Sequence, residues 1–238
     1  ICDSIPNQLI EQTLENSARV SKQLSDIEDM VSKGVNILVV NPTDSEGVRS
    51  AVEAAKAKGV TVVSVDAQAA GVDAFVGSKN YDAGVLACDA LVKEIGGKGE
   101  VAILDGIAVV PILERVRGCK DALAKAPDVK LVDVQNGRQE RDISVGVAEN
   151  MMQSHPNLKG IFSVNDGGSM GVLAAIEGSG KDIVLTSVDG APDIEAVLKD
   201  PDSPMVQASA SQDPYAMAQL AMEIGVDHYL LHLCKMLA

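Results

Sequence analysis

Apolar residues recur along this chain in two alternating rhythms. Short, nearly continuous runs of β-branched and aliphatic residues, such as Ile37–Val40 and Val60–Val65, read as strands buried on both faces. Between them lie longer segments in which apolar positions return every three or four residues, the period of a helix with one face toward a core. Ser17–Lys33 shows the helical rhythm clearly, with Val20, Leu24, Ile27 and Val31 on one face and Gly34 as its stop. The patterns predict strands at Leu9–Thr13, Ile37–Val40, Val60–Val65, Ala74–Val76, Glu100–Leu104, Val129–Val134, Ile161–Val164, Ile183–Val188 and Met205–Ser209. Helices are predicted at Ser17–Lys33, Ser45–Lys58, Asp82–Ile95, Ile112–Ala124, Ser144–Ser154, Ser169–Glu177, Ile194–Lys199 and Tyr215–Leu233. Such alternation predicts an α/β protein with parallel sheets built from right-handed βαβ units.

One unit of this pattern occurs twice. Asn36-Ile37-Leu38-Val39-Val40-Asn41-Pro42 leads through a helical stretch to Val60-Thr61-Val62-Val63-Ser64-Val65-Asp66. Gly160-Ile161-Phe162-Ser163-Val164-Asn165-Asp166 leads in the same way to Ile183-Val184-Leu185-Thr186-Ser187-Val188-Asp189. In each copy Asn and Asp fall at the carboxyl ends of adjacent parallel strands, where open α/β sheets bind ligands. Their mixed donors and acceptors suit a polyhydroxyl ligand.

At 238 residues the chain is one large domain or two of ordinary size. Aromatic residues make up 2% and Trp is absent, so the core must be built from Val, Ile, Leu and Ala. A net charge of -14 argues against nucleic acid, whose phosphates need clustered Lys and Arg. The cysteines Cys2, Cys88, Cys119 and Cys234 form no C-x-x-C pair and suggest no zinc ribbon. Cys88 and Cys119 fall in helical patterns and read as small core residues, which leaves the redox compartment open. No apolar run approaches the roughly 18 residues of a membrane helix. The opening Ile1-Cys2-Asp3 has no Met, basic region or apolar region of a signal peptide, so a processed or incomplete chain is expected.

Seven short stretches, in order and at regular spacing over roughly residues 9 to 227, carry a family resemblance. They are Asn41-Pro42-Thr43-Asp44-Ser45, Ser64-Val65-Asp66, Gly77-Ser78-Lys79-Asn80, Glu114-Arg115-Val116-Arg117-Gly118, Asn165-Asp166, Ser187-Val188-Asp189-Gly190 and Gln212-Asp213-Pro214. On these the chain resembles the periplasmic sugar-binding proteins of ABC transporters, of the ribose-binding type. The resemblance implies two doubly wound, Rossmann-like parallel-sheet lobes joined by a hinge and closing on a sugar. Residues 1–78 and 212–238 would form the first lobe, and 79–211 the second. The resemblance places Asn41 and Asp66 on the first lobe, Arg115, Asn165 and Asp189 on the second, and Gln212 at the hinge, all as sugar ligands. It further implies a non-catalytic monomer without metal or cofactor, located in the periplasm or at the cell surface and presented to a membrane permease.

The chemistry of these residues suits the role. A carboxylate accepts hydroxyl protons from neighbouring sugar carbons, an arginine fork donates in a fixed plane, and Asn and Gln do both. Each also has a purely structural alternative: a helix N-cap for Asn41 and Asn165, an Asx turn for Asp66 and Asp189, a surface ion pair for Arg115. The chain departs from the ribose type in several places. Ala67 stands where an Arg follows the first-lobe Asp, and an aromatic that stacks on the sugar is replaced near Gln139. No counterpart is found for the family's N-terminal strand, a central strand beside that equivalent to Ile37–Val40, or for its helix. After about Asp227 the chain runs His228-Tyr229-Leu230-Leu231-His232-Leu233-Cys234 instead of returning to a final strand. The first lobe is therefore expected to be incomplete, as from a gene truncated at both ends.

Other signals point elsewhere. Gly167-Gly168-Ser169-Met170-Gly171 matches the G-x-S-x-G elbow of α/β-hydrolases, and Asp189 and His228 follow in triad order. That elbow needs Ser directly off a strand, whereas Ser169 falls in a predicted first helical turn, where Gly168 and Gly171 read as close helix packing. His228 and His232, spaced i, i+4, could hold a metal with Cys234 or Glu223, although no H-E-x-x-H is present. Gly96-Gly97-Lys98-Gly99 follows a helix and precedes a strand, the wrong order for a P-loop, and reads as a helix stop. The ligand-sensing core of a LacI-type repressor shares the architecture. It would need a basic helix-turn-helix that this sequence lacks.

Overall fold

The computed structural model describes residues 20–201, 203 and 205–236, in which strand and helix alternate. The elements are α1 (Val20–Ser32), β1 (Ile37–Val40), α2 (Arg49–Ala57), β2 (Thr61–Val65), β3 (Ala74–Val76), α3 (Asn80–Glu94), β4 (Gly99–Asp105) and α4 (Val110–Leu123). They continue as β5 (Val129–Asn136), α5 (Arg141–Ser154), β6 (Leu158–Ser163), α6 (Asp166–Ser179), β7 (Val184–Asp189), α7 (Pro192–Lys199), β8 (Val206–Ser211) and α8 (Pro214–Met236). The strand expected at Leu9–Thr13 and the first residues of the helix expected from Ser17 lie outside the described residues.

The described residues divide into two compact units. One contains residues up to Val76 together with those from Ala218 on, and the other is the single segment Gly77–Met217. The sequence reading set these limits at 78/79 and 211/212; the observed limits put Ser78 and Gln212 inside the second unit.

The first unit has a parallel three-stranded sheet in the order β1-β2-β3. Leu38, Val40 and Val62 meet Ile27 and Met30 of α1 and Ala51, Val52 and Ala55 of α2 in one buried cluster. Gly225 of α8 lies against Ile37 and Val63, which places α8 on the opposite face. Helix α2 begins four residues later than its apolar pattern suggested. Asp44 Oδ1 accepts the N–H groups of Glu46 (3.0 Å) and Gly47 (2.6 Å), and this local turn holds the backbone out of the helix until Arg49.

The second unit has a parallel five-stranded sheet in the order β5-β4-β6-β7-β8. Burial alternates along its central strands. Val101, Ile103 and Phe162 face one core with α3 and α4, while Ala102, Leu104 and Ile161 face another with α5, α6 and α7. Helices therefore cover both faces, the doubly wound arrangement, and the chain changes direction across the sheet between β4 and β6. Helices α3, α4 and α5 start two or three residues before the predicted positions; α3 and α5 open on polar residues that carry no apolar period, and α4 opens on Val110-Pro111, with proline in the first turn.

Helices α3 and α4 cross at unusually short range. A Cβ added to Gly84 would lie 2.0 Å from the Arg115 carbonyl oxygen, and one added to Gly118 would lie 2.1 Å from that of Tyr81. One turn from this contact, Cys88 and Cys119 are joined in a disulfide with Cα atoms 5.1 Å apart. This corrects the reading of the two as plain core thiols. Both are fully buried, but a helix crossing 31 residues apart in sequence, rather than any local spacing, brings their sulfurs together. Gly118→Ala should cost about 2–3 kcal/mol, because backbone rather than a movable side chain occupies the space. Gly178→Ala, in α6 with no neighbour within 4 Å, should be neutral or stabilising by up to about 1 kcal/mol. Chemical denaturation of both variants tests the crossing; equal midpoints would refute it.

Candidate functional site

Each unit gathers polar side chains at the carboxyl ends of its strands. In the first, Asn41 follows β1 and Asp66 follows β2, so parallel pairing sets the two side by side. Asn41 Nδ2 donates to Asp66 Oδ2 at 3.2 Å. The loop after β1 is anchored by Gln23 of α1, a nearly fully buried side chain that sequence reasoning missed. Gln23 Nε2 donates to the Asn41 carbonyl at 2.7 Å, and its Oε1 accepts Thr43 N–H and Oγ–H at 2.9 and 3.0 Å. Gln23 falls on the apolar face of α1 beside Leu24 and Ile27, and that polar break in the helical period was the available signal. Asp66 has a φ of 65°. Its Oδ1 and the Ser64 Oγ are buried without a hydrogen-bond partner among the described residues. A buried carboxylate oxygen left free is costly unless something else supplies the donor. The next residue, Ala67, is buried.

In the second unit Arg115 is the anchor. The helix crossing directs its almost fully buried side chain from α4 toward the strand ends. Nε donates to Asn80 Oδ1 (2.8 Å), and Nη1 donates to the Val164 carbonyl (2.8 Å) and to Asp189 Oδ1 (2.9 Å). Among the described residues Nη2 makes no hydrogen bond. Arg115 is thus no surface residue, and Asn80, the first residue of α3, is a partner that sequence reasoning did not single out. Asp189 Oδ1 also accepts Gln212 Nε2 at 2.8 Å, and Gln212 Oε1 accepts the Ser78 hydroxyl at 3.1 Å. Arg115, Asp189 and Gln212, distant in sequence, therefore form one hydrogen-bonded cluster. Asp189 has a φ of 135°. Burial pushes its carboxyl up to about 6; Arg115 pulls it down, and the nearby Asp166 carboxylate adds to the rise.

Asn165 is committed locally. Its Oδ1 caps α6 by accepting Gly168 N–H at 3.1 Å, and its Nδ2 makes a long contact of 3.5 Å to the Gln139 carbonyl. The helix-cap alternative accounts for one end of this side chain. Gln139 lies beside the β4–β6 reversal, where Arg138 and Gln139 have φ of 56° and 64° and Gln139 Oε1 accepts Ile107 N–H at 3.4 Å. Ser169 is buried in the first turn of α6, with its hydroxyl donating to the Asn165 carbonyl at 2.8 Å. It does not sit on a strand-to-helix elbow. Gly171 of the same motif lies against the Arg141 carbonyl, where an added Cβ would come within 2.3 Å, so the motif's glycine serves packing of α5 on α6. His228, His232 and Cys234 are exposed on α8. Among the described residues no group of three potential metal ligands comes together, and no helix is long and apolar enough to cross a membrane.

Comparisons with known proteins show the family to which the chain belongs. A family model described as a periplasmic binding protein domain matches residues 3–230. The chain is 37% identical over 216 residues to the ribose import binding protein of Bacillus subtilis, covering 89% of this chain and 68% of that protein. It is 32% identical over 191 residues to the ribose import binding protein of Salmonella typhimurium, covering 79% of this chain and 64% of that one. The chain thus spans about two thirds of the length of these relatives. A solved solute-binding protein from Burkholderia graminis, in complex with D-arabinose, matches with a TM-score of 0.82 at 30% identity, over 89% of this chain and 75% of that one.

Proposed function

Since the chain belongs to the periplasmic binding protein family, we propose that it is the solute-binding component of a carbohydrate ABC transporter and binds a monosaccharide or related polyol. The observation that carries this reading is the pair Asp66 and Asp189. Both close the repeated strand–helix–strand unit, both have positive φ, and both direct carboxylates to a strand-end edge. Positive φ in a non-glycine residue is tolerated best by Asp and Asn, and such strain gathers at binding sites. The free Asp66 Oδ1 and the uncommitted Arg115 Nη2 supply an acceptor and a donor for sugar hydroxyls.

In this reading Asn41, Asp66, Arg115, Asn165, Asp189 and Gln212 contact the sugar, Asn165 through the part of its amide that the helix cap leaves available. The protein acts without catalysis, as a monomer, and delivers its ligand to a membrane permease. Its place is outside the cytosol. The Cys88–Cys119 disulfide supports that location, because such bonds persist in oxidising compartments. Relatives named for ribose, D-allose and D-apiose support the ligand class.

A thermal melt against pentoses, hexoses and polyols at millimolar concentration tests the proposal. One sugar, or a small group of stereochemically related ones, should raise the melting temperature, since a ligand that binds only the native state stabilises it by mass action. Asp66→Ala should remove that shift. A cooperative melt that no carbohydrate moves would overturn the reading.

A further inference from the structure

The two copies of the repeated unit differ at one position with a large physical consequence. Asn41-Pro42 in the first corresponds to Asn165-Asp166 in the second, and Ser64 to Ser187. In the first copy the Ser64 hydroxyl is buried without a partner among the described residues. In the second, the Ser187 hydroxyl donates to Asp166 Oδ1. Asp166 is 1% exposed and makes no ion pair among the described residues, yet both of its carboxylate oxygens accept hydrogen bonds. Oδ1 also accepts the Ser209 hydroxyl at 2.9 Å, and Oδ2 accepts Ala191 N–H at 2.7 Å. The Ser209 oxygen in turn accepts Gly190 N–H at 3.1 Å. One carboxylate on the first turn of α6 thus ties together β7, β8 and the turn Asp189-Gly190-Ala191. Its own backbone N–H donates to Asp189 Oδ2 at 3.3 Å.

We propose that Asp166 is the positioning residue for the Asp189 carboxylate, holding the turn after β7 in the left-handed course that aims Asp189 at the ligand. This rests on the sugar-binding role given above to Asp189. A buried carboxylate answered only by hydroxyls and one N–H is an expensive way to close a turn, and Pro42 shows that the repeated unit folds without it. What the second copy gains is a fixed Asp189. Arg115 from α4 and Asp166 from α6 are the charged groups that act on Asp189, and Gln212 beyond β8 is its neutral neighbour. The negative charge of Asp166 therefore gives the proposal an electrical signature that a purely structural turn-holder would lack.

The test compares Asp166→Asn with the unaltered protein in two measurements. The first follows the Asp189 side-chain carboxyl by carbon NMR across a pH titration of ligand-free protein. Removing the neighbouring charge should move the midpoint from about 6 to lower pH. The second measures affinity, at pH 7.5, for whichever sugar raises the melting temperature; it should fall about tenfold. A midpoint that stays in place, or an undiminished affinity, overturns the proposal. If Asp166→Asn does not fold, Ser209→Ala removes one hydroxyl and keeps the charge. It should weaken sugar binding several-fold while the Asp189 midpoint stays near 6, and unchanged binding would equally overturn the proposal. If no sugar binds the unaltered protein, the function proposed above fails, while the ligand-free titration of Asp166→Asn still decides whether Asp166 acts on Asp189.

Discussion

Asp189→Asn should bind sugar roughly 100-fold more weakly than the unaltered protein and yet melt higher without ligand at pH 7.5. The sign follows from the proton balance. A carboxyl whose folded value is raised to about 6, from an ordinary value near 4, holds its proton more tightly in the native state. Between those values the native state binds more protons than the unfolded chain, so the contribution of Asp189 to stability falls as pH rises. Above 6 the ionised group is a net cost of folding. Asn keeps an oxygen for Arg115 Nη1 and Gln212 Nε2, tolerates positive φ and carries no charge to desolvate, which outweighs the lost 3.3 Å bond from Asp166 N–H to Oδ2. A gain of about 1 kcal/mol, or about 3 °C, is expected. It should disappear below pH 4, where the aspartate is protonated as well. A variant that melts lower at pH 7.5, or by a margin that does not depend on pH, would show that the ion pair with Arg115 outweighs the burial of the acid. Higher stability with lost binding is the trade expected of a site that holds a carboxylate ready for its ligand.

Removal of the Cys88–Cys119 bond should have the largest effect on stability. It closes a loop of 31 residues, and releasing that constraint on the unfolded chain costs about 3–4 kcal/mol. Cys88→Ala/Cys119→Ala should therefore melt roughly 10 °C lower than the oxidised protein. Production under reducing conditions should give the same deficit. The bond is fully buried, so a reductant added to folded protein should act only as slowly as the unit opens. An unchanged melting temperature for the double variant would mean that the glycine crossing alone holds α3 on α4. Sugar affinity should also fall, because Arg115 lies one turn from Cys119 and its reach toward Asp189 depends on how α4 sits.

The parts of this molecule visible in the sequence are those governed by local period. Ile161–Val164 and Ile183–Val188 announce strands because they are buried on both faces, and Gly34 and Gly59 announce helix ends. The repeated Ser-Val-Asp marked Asp66 and Asp189 because strand ends in parallel sheets converge on one edge. The hidden parts depend on contacts between distant residues. Neither Cys88 nor Cys119 lies in a recognisable spacing, since their meeting depends on Gly84 and Gly118 allowing two backbones to touch. Arg115 could be an anchor or a surface residue until Asn80, Val164 and Asp189 closed around it. Asp166 was passed over because Asn165, its neighbour, carried the familiar chemistry. The polarity of the Asn165 side chain could be read from sequence, but its commitment to the N–H of Gly168 could not.

The second unit is a single uninterrupted insertion in the first, and its two ends lie together. Near the point where the chain comes in, the Ser78 hydroxyl contacts Gln212 at 3.1 Å and the Met217 sulfur at 3.5 Å, close to where the chain leaves. Two neighbouring ends are what a transplantable cassette requires. Residues 77–217 could be excised as one piece, sealed end to end by a short linker, or moved into another host without rerouting any strand. Arg115, Asn165, Asp189 and Gln212 would travel together, with Asp166 and the disulfide as their internal scaffold. Only Asn41 and Asp66 would stay behind, so a change of host would replace these two polar strand-end residues and keep the other four in their own scaffold.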